Sequence, residues 1–308
     1  ARQLIAADFD ALAIANGSAI SATLFGALAG SGALPFARPA FEDAIRASGK
    51  GVEPSLRAFA AGFDAASGTV DTPTTEAAPQ PHTPTGPEAL LREWQTLCAS
   101  IDALPPAAAE MALAGLRKAV DFQDPAYGRE YLARLQSLAA LDPGDGHLTR
   151  EAAKYIANAM AYDDIIRVAN VKTRPQRGTR IAQEMRLKPG QLMQVTEFLH
   201  PRAEEIVSLL PAGIGARWQA NPKRKALIDR LFNRGRRIRT GGIIGFSILY
   251  LLAGAKGWRR RTLRHAQEVA HLNAWLDRVA KARPDVAVEL LRNQRLIKGY
   301  SDTHARGQ

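Results

Sequence analysis

One run limits what this 308-residue chain can fold into more than any other: Thr240–Ala255, TGGIIGFSILYLLAGA. It carries no charge and is bracketed by cations. Lys223, Arg224, Lys225, Arg230, Arg234, Arg236, Arg237 and Arg239 precede it, and Lys256, Arg259, Arg260, Arg261 and Arg264 follow. A bilayer span needs about 20 apolar residues, and this run is shorter. It is expected to be a central helix, buried in a helical body between two basic surfaces. The other reading of arginines beside an apolar helix is a segment lying in a lipid interface.

The positive charge is local. Pro222–His265 holds 13 Lys and Arg against one acid, Asp229, so this stretch carries +12 of a net +11 and the remainder sums to −1. Such a zone attracts anionic partners. Arg234, Arg236, Arg237, Arg239, Arg259, Arg260 and Arg261 are the candidates for partner or anion contacts. A nucleic-acid reader also needs a helix aimed at base edges or exposed aromatics for stacking. Phe232, Phe246, Tyr250 and Trp258 look core-directed, so nucleic acid is not expected, nor is a membrane span.

Elsewhere alanine and leucine dominate, which favours helix over sheet. The expected fold is mainly α: a partial α/β segment at the N-terminus, then a large all-helical domain. In residues 1–65, Arg2–Phe9 reads as a short strand, and Asn16-Gly17-Ser18 as the cap of a helix in which Ala22, Gly26 and Gly30 recur every four residues. Side chains that small let another backbone come close. Two further helices follow, near Ala40–Ser48 and from Pro54, the second with Leu56, Phe59 and Phe63 on one face. Residues 66–88 contain Pro73, Pro79, Pro81, Pro84 and Pro87 and little apolar surface, the composition of an extended linker.

Residues 89–308 read as nearly all helix. Asp124-Pro125 is a strong helix start. Tyr127, Tyr131, Leu135 and Leu138 form one stripe. Thr149 is expected to cap a single long helix striped by Ala152, Tyr155, Ala159, Tyr162, Ile166 and Ala169. Shorter helices are expected near Thr196–Leu210 and over 223–234. A long one should run from Trp258 to Ala282 and a last one should start at Pro284.

Candidate chemistry is sparse. No GxGxxG, Walker or GxSxG motif is present. His265, Glu268 and His271 step by three residues, which fans them around a helix instead of stacking two imidazoles one turn apart, so no metal is expected. Asp163, Asp164 and Arg167 sit beside the long stripe, with Asp163 and Arg167 spaced for a surface ion pair. Glu197 and His200 cluster with Glu204 and Glu205 around Pro201, where a histidine at a helix break could act as a base. The polar tail offers Lys298, Asp302, His304 and Arg306 as anion or partner contacts. The lone cysteine, Cys98, cannot supply the roughly four thiolates of an iron–sulfur cluster. It points to a reducing cytoplasm. No signal segment is visible, and a chain opening at Ala1 without Met is expected to be a fragment or a processed product.

Several segments carry a resemblance: IANGSAISATLFGALAGSGALP with FEDAI and LRAFAAGF in the first block, then AYDDIIRVANVKTR, EFLHPRAEEIVSLLPAGIGARW, NRGRRIRT, TLRHAQEVAHLNAWLDRV and RLIKGYSDTHARG. Together they resemble the beta subunits of indolepyruvate oxidoreductases, in the 2-oxoacid:ferredoxin oxidoreductase family. The first block looks like the end of that family's gamma-type catalytic domain, without its glycine-rich opening. The resemblance implies a subunit of an enzyme that oxidatively decarboxylates aryl pyruvates with CoA as co-substrate. It would give aryl-acetyl-CoA, carbon dioxide and reduced ferredoxin. Thiamine diphosphate and iron–sulfur clusters would sit on a partner alpha subunit, and an acidic ferredoxin-type carrier could dock on the basic zone. No cofactor is expected on this chain, no catalytic residue transfers onto it, and this piece alone is expected to be inactive. The alternative is a non-enzymatic basic helical scaffold that binds a membrane surface or nucleic acid.

Overall fold

The computed structural model describes residues 4–49, 51–68, 84–185, 187–188, 190–199, 202–232 and 235–297. They fall into two units, 1–83 and 84–308, and the division lies inside the proline-rich stretch.

The first unit consists, among the described residues, of four helices: α1 (Phe9–Ala15), α2 (Ile20–Gly30), α3 (Arg38–Ala47) and α4 (Val52–Ala66). Glycine sets their packing. A Cβ on Gly26 of α2 would overlap the Phe59 carbonyl of α4, and one on Gly62 of α4 would overlap the Thr23 carbonyl of α2. The two backbones therefore touch, helix on helix. Phe59 is fully buried at this seam, with Phe41 and Ile45 of α3 beside it. Burial of a side chain of that size contributes about 1.5–3 kcal/mol. Thr23 ties α1 down by donating its hydroxyl to the Phe9 carbonyl at 2.9 Å. The strand expected over Arg2–Phe9 does not form among its described residues. Asp8 instead caps α1, its carboxylate accepting from the Ala11 amide.

The second unit opens with α5 (Glu88–Ala99), a 3-10 turn over Ser100–Ala103, α6 (Pro106–Phe122), α7 (Pro125–Ala139) and α8 (His147–Met160). Helices α6, α7 and α8 pack on one another. The stripe Tyr127, Tyr131, Leu135 and Leu138 is buried in their core, as its spacing predicts. Its two phenols are satisfied by backbone: Tyr127 donates to the Met160 carbonyl and Tyr131 to that of Ala153, both at 3.0 Å. Asp124 caps α7 through the Tyr127 amide at 2.8 Å.

The long helix expected from Thr149 to Ala169 is two helices. Helix α8 stops at Met160, residues 161–164 leave the helix, and α9 (Ile165–Lys172) begins afresh. The stripe residues are buried on both sides of the break, and Ala152, Tyr155, Ala159 and Tyr162 belong to the main core. Thr149 lies in the first turn of α8 rather than before it. Asp142 supplies the cap, its carboxylate accepting from the Thr149 amide and hydroxyl and from the amides of Gly144 and Gly146.

Next come α10 (Pro175–Glu184), β1 (Thr196–Leu199), α11 (Ala203–Ser208), α12 (Ala212–Gln219), α13 (Pro222–Phe232), β2 (Arg236–Arg239) and α14 (Ile243–Gly254). A 3-10 turn over Ala255–Arg261, α15 (Leu263–Lys281), α16 (Pro284–Arg292) and a 3-10 turn over Asn293–Leu296 end the unit. Strands β1 and β2 pair antiparallel, Thr196 with Arg239 through Leu199 with Arg236, where helix was expected. Helices α15 and α16 complete the main core with Leu272, Val279, Val288 and Leu291.

Candidate functional site

The apolar run forms α14 as expected but does not occupy the centre. Gly245 and Leu249 are its buried residues, and Gly245 lies so close to β2 that a Cβ there would overlap the Arg239 carbonyl. Leu252 and Ala253 are half-buried and the others face outward: Ile243 is 88% exposed, Ile244 78%, Leu251 74% and Tyr250 63%. The central buried helix is therefore overturned. Hydrophobicity drove the expectation, but the bundle core is already filled by α6, α7, α8, α15 and α16, and α14 leans on α9 at its side. No single helix among the described residues is long and apolar enough to cross a membrane.

The aromatic residues follow α14 outward. Phe232, Phe246 and Trp258 are each more than a third exposed, as is Phe198 of β1. The core-directed reading of Phe232, Phe246, Tyr250 and Trp258 is corrected accordingly, and with it the ground for setting nucleic acid aside. Phe246 stacks on Tyr250 at 5.9 Å between ring centroids.

The basic candidates do different things. Arg237 lies over the Phe198 ring at 5.1 Å, and Arg261 over Trp258 at 5.3 Å. Arg239 is exposed, and among the described residues it makes no ion pair, nor do Arg237 and Arg261. Arg260 pairs with Glu130 and sits over Tyr127. Arg236 belongs to β2 by its backbone. Arg234, His200, Lys298, Asp302, His304 and Arg306 lie outside the described residues.

Arg259 departs most from expectation. Its side chain is 1% exposed, so no partner can reach it. Its Nε donates to Asp164 at 2.8 Å, and one terminal nitrogen donates to the Phe122 carbonyl at 2.6 Å and to Gln123 at 3.0 Å. The guanidinium also lies 4.1 Å from the centre of the Phe122 ring. Asp164, itself 4% exposed at the side chain, has a second task. It caps α9 by accepting from the Arg167 amide. The adjacent carboxylate of Asp163 is exposed, and Arg167 binds Asp121 at 2.9 Å instead of the expected Asp163. Residue 163 precedes the helix, so the i,i+4 geometry does not exist. The cap signal, an aspartate directly before Ile165-Ile166, was visible in the sequence; the buried arginine 95 residues on was not.

Beside this ion pair Tyr162 meets His265 Nδ1 at 3.0 Å, both buried. Burial, then the charge of Arg260, holds the imidazole below its ordinary pKa, and burial pushes the Tyr162 phenol up. Glu268, one turn from Arg264 on α15, binds it at 2.6 Å. Asp121 gathers Arg167, Arg174 and, through its carbonyl, Lys256. Lys256 is held below its ordinary pKa by burial first, with Arg259 and Arg174 adding to the fall. Glu197 on β1 is an anchor: it binds Lys172 at 2.6 Å and Arg177. Burial works to raise its pKa, but these two cations outweigh it and hold the carboxyl low. Among the described residues no three His, Cys, Asp or Glu side chains gather as a metal site.

The model of a family of unknown function, DUF6537, matches residues 108–308, about two thirds of the chain and wholly within the second unit. The chain belongs to this family. No curated protein matches it, and no solved structure does. Membership of DUF6537 therefore names the helical unit without assigning it a reaction.

Proposed function

We propose that the chain is a cytoplasmic subunit of an aryl-pyruvate:ferredoxin oxidoreductase assembly. The observation that carries the assembly part is α14, an apolar helix left mostly uncovered on a basic face. Monomers rarely leave a contiguous apolar patch of more than a few hundred Å² in water, and larger ones mark interaction sites. The family resemblance in AYDDIIRVANVKTR, NRGRRIRT and TLRHAQEVAHLNAWLDRV supplies the chemistry: decarboxylation of an aryl pyruvate, transfer of the aryl-acetyl group to CoA, and delivery of the electrons to ferredoxin. The chain's single thiol is half-buried, so the residues here do not fit a Cys-ligated cluster. Thiamine diphosphate and the clusters fall to a partner alpha subunit.

Coexpression with a thiamine-dependent subunit tests the reading. Copurification, and loss of aryl-pyruvate-dependent ferredoxin reduction on deleting residues 88–308, are the expected results. Full activity without those residues refutes a role for the helical unit. For carrier docking, Arg237→Glu with Arg261→Glu should weaken the reaction with ferredoxin in a salt-dependent manner.

A second reading draws on the same face. Exposed Phe198, Tyr250 and Trp258 beside arginines also suit a non-enzymatic scaffold on an anionic membrane or on single-stranded nucleic acid. Binding to DNA with a steep salt slope, without association with the alpha subunit, favours that reading.

A further inference from the structure

We propose that α14 docks an apolar helix of the partner subunit, and that acidic residues flank that helix. The inference rests on the subunit reading and names the surface and the chemistry of its partner. At about 100° per residue, residues seven apart lie along one line of a helix. Ile243 and Tyr250 form one exposed row, and Ile244 and Leu251 form a second. Ser247 and Gly254, both exposed, lie between them. The outward surface is thus two bulky ridges with a shallow channel of small side chains. That relief accepts the ridge of another helix, because small residues let two backbones approach closely.

Charge selects the occupant. Exposed Arg237 and Arg239 stand before the helix and Arg261 after it, with no ion pair among the described residues. From Arg230 to Gln267 the sequence has no acid. A second copy of this chain would set arginine against arginine, so the complementary surface carries carboxylates. The channel favours a protein helix over lipid: acyl chains gain nothing from a small-residue groove, whereas a packed helix fills it.

The test measures binding of the full chain to the thiamine-dependent subunit. Wild type is compared with Leu251→Glu, Ser247→Trp and the double variant Arg239→Glu/Arg261→Glu. All four positions are exposed, and far-UV circular dichroism and melting check that each variant folds as wild type. Loss of a central interface anchor typically weakens binding roughly tenfold or more, and Leu251→Glu and Ser247→Trp should each do so. The double variant should weaken it most at low salt. Wild-type association with unchanged binding by Leu251→Glu and Ser247→Trp overturns the inference and leaves the subunit reading standing. No association by wild type sinks both. Flotation with vesicles of phosphatidylcholine and phosphatidylglycerol covers the lipid alternative. Flotation of wild type that Ser247→Trp preserves and Leu251→Glu abolishes identifies lipid as the occupant and overturns the proposal. A wild-type dimer that Leu251→Glu dissolves identifies a second copy and overturns it equally.

Discussion

Replacing Asp164 by alanine should be among the most damaging single changes in the second unit. The substitution leaves Arg259 as a cation with 1% of its side chain exposed and no carboxylate. Removing one partner of a buried pair costs about 3–5 kcal/mol. Asp164 also caps α9 through the Arg167 amide, and loss of such a cap costs about 1 kcal/mol more. The total is about 4–6 kcal/mol. For a unit of this size each kcal/mol moves Tm by about 2–4 °C, so a fall on the order of 10–20 °C is expected in a thermal melt followed by circular dichroism. Arg259→Met keeps the cap but strands the carboxylate, and should lose about 3–5 kcal/mol. The double variant Asp164→Asn/Arg259→Met removes both charges and retains a capping side chain. Measured beside wild type, Asp164→Asn alone and Arg259→Met alone, it should be more stable than the sum of those two single changes by at least about 2 kcal/mol, since neither half is left buried and alone. Simple additivity in urea titrations of the four proteins would refute the argument that the two side chains are coupled.

Three further outcomes follow from the packing and the titrating groups. Gly26→Ala should destabilise the first unit by about 1–3 kcal/mol through overlap with the Phe59 carbonyl, read as faster amide exchange in α2 and α4. The Asp142 carboxyl is raised by burial but held low overall by hydrogen bonds from Thr149, Gly144 and Gly146. Its contribution is present above the ordinary carboxylate pKa and is lost as pH falls through the depressed one. The stability gap between wild type and Asp142→Ala should therefore shrink in acid melts below about pH 4. Burial holds the His265 imidazole below its ordinary pKa, with Arg260 and Arg259 opposing its protonation and Glu130 favouring it. The unfolded imidazole takes up a proton near pH 6.5 and the folded one only lower. Wild type should lose stability between about pH 7 and 5, and His265→Gln should lose less in matched urea titrations.

Local chemistry was legible wherever one segment carried the whole signal. Asp124-Pro125 forecast the start of α7, and the four-residue spacing of Gly26 and Gly30 forecast a close backbone approach. The spacing from Tyr127 to Leu138 picked out a stripe that the bundle buries. Features that join distant segments were not legible. Strands β1 and β2 are four residues each and about 40 residues apart, too short for alternation to distinguish them from helix. Asp164 and Arg259 meet across 95 residues, and nothing in WRRR tells which arginine turns inward. The position of α14 failed for a related reason. Hydrophobicity says that a surface seeks cover, but not whether this chain or another molecule supplies it.

Helix α14 is fastened at both ends. Gly245 seats its first turn on β2, and just beyond its last turn Arg259 is sunk into the junction of α6, α7 and α9. A ligand that grips the middle of this helix takes hold of a strut, not a flap. Through Arg259 the chain leaving that strut is tied to Phe122, Gln123 and Asp164, where α6 ends and α9 begins.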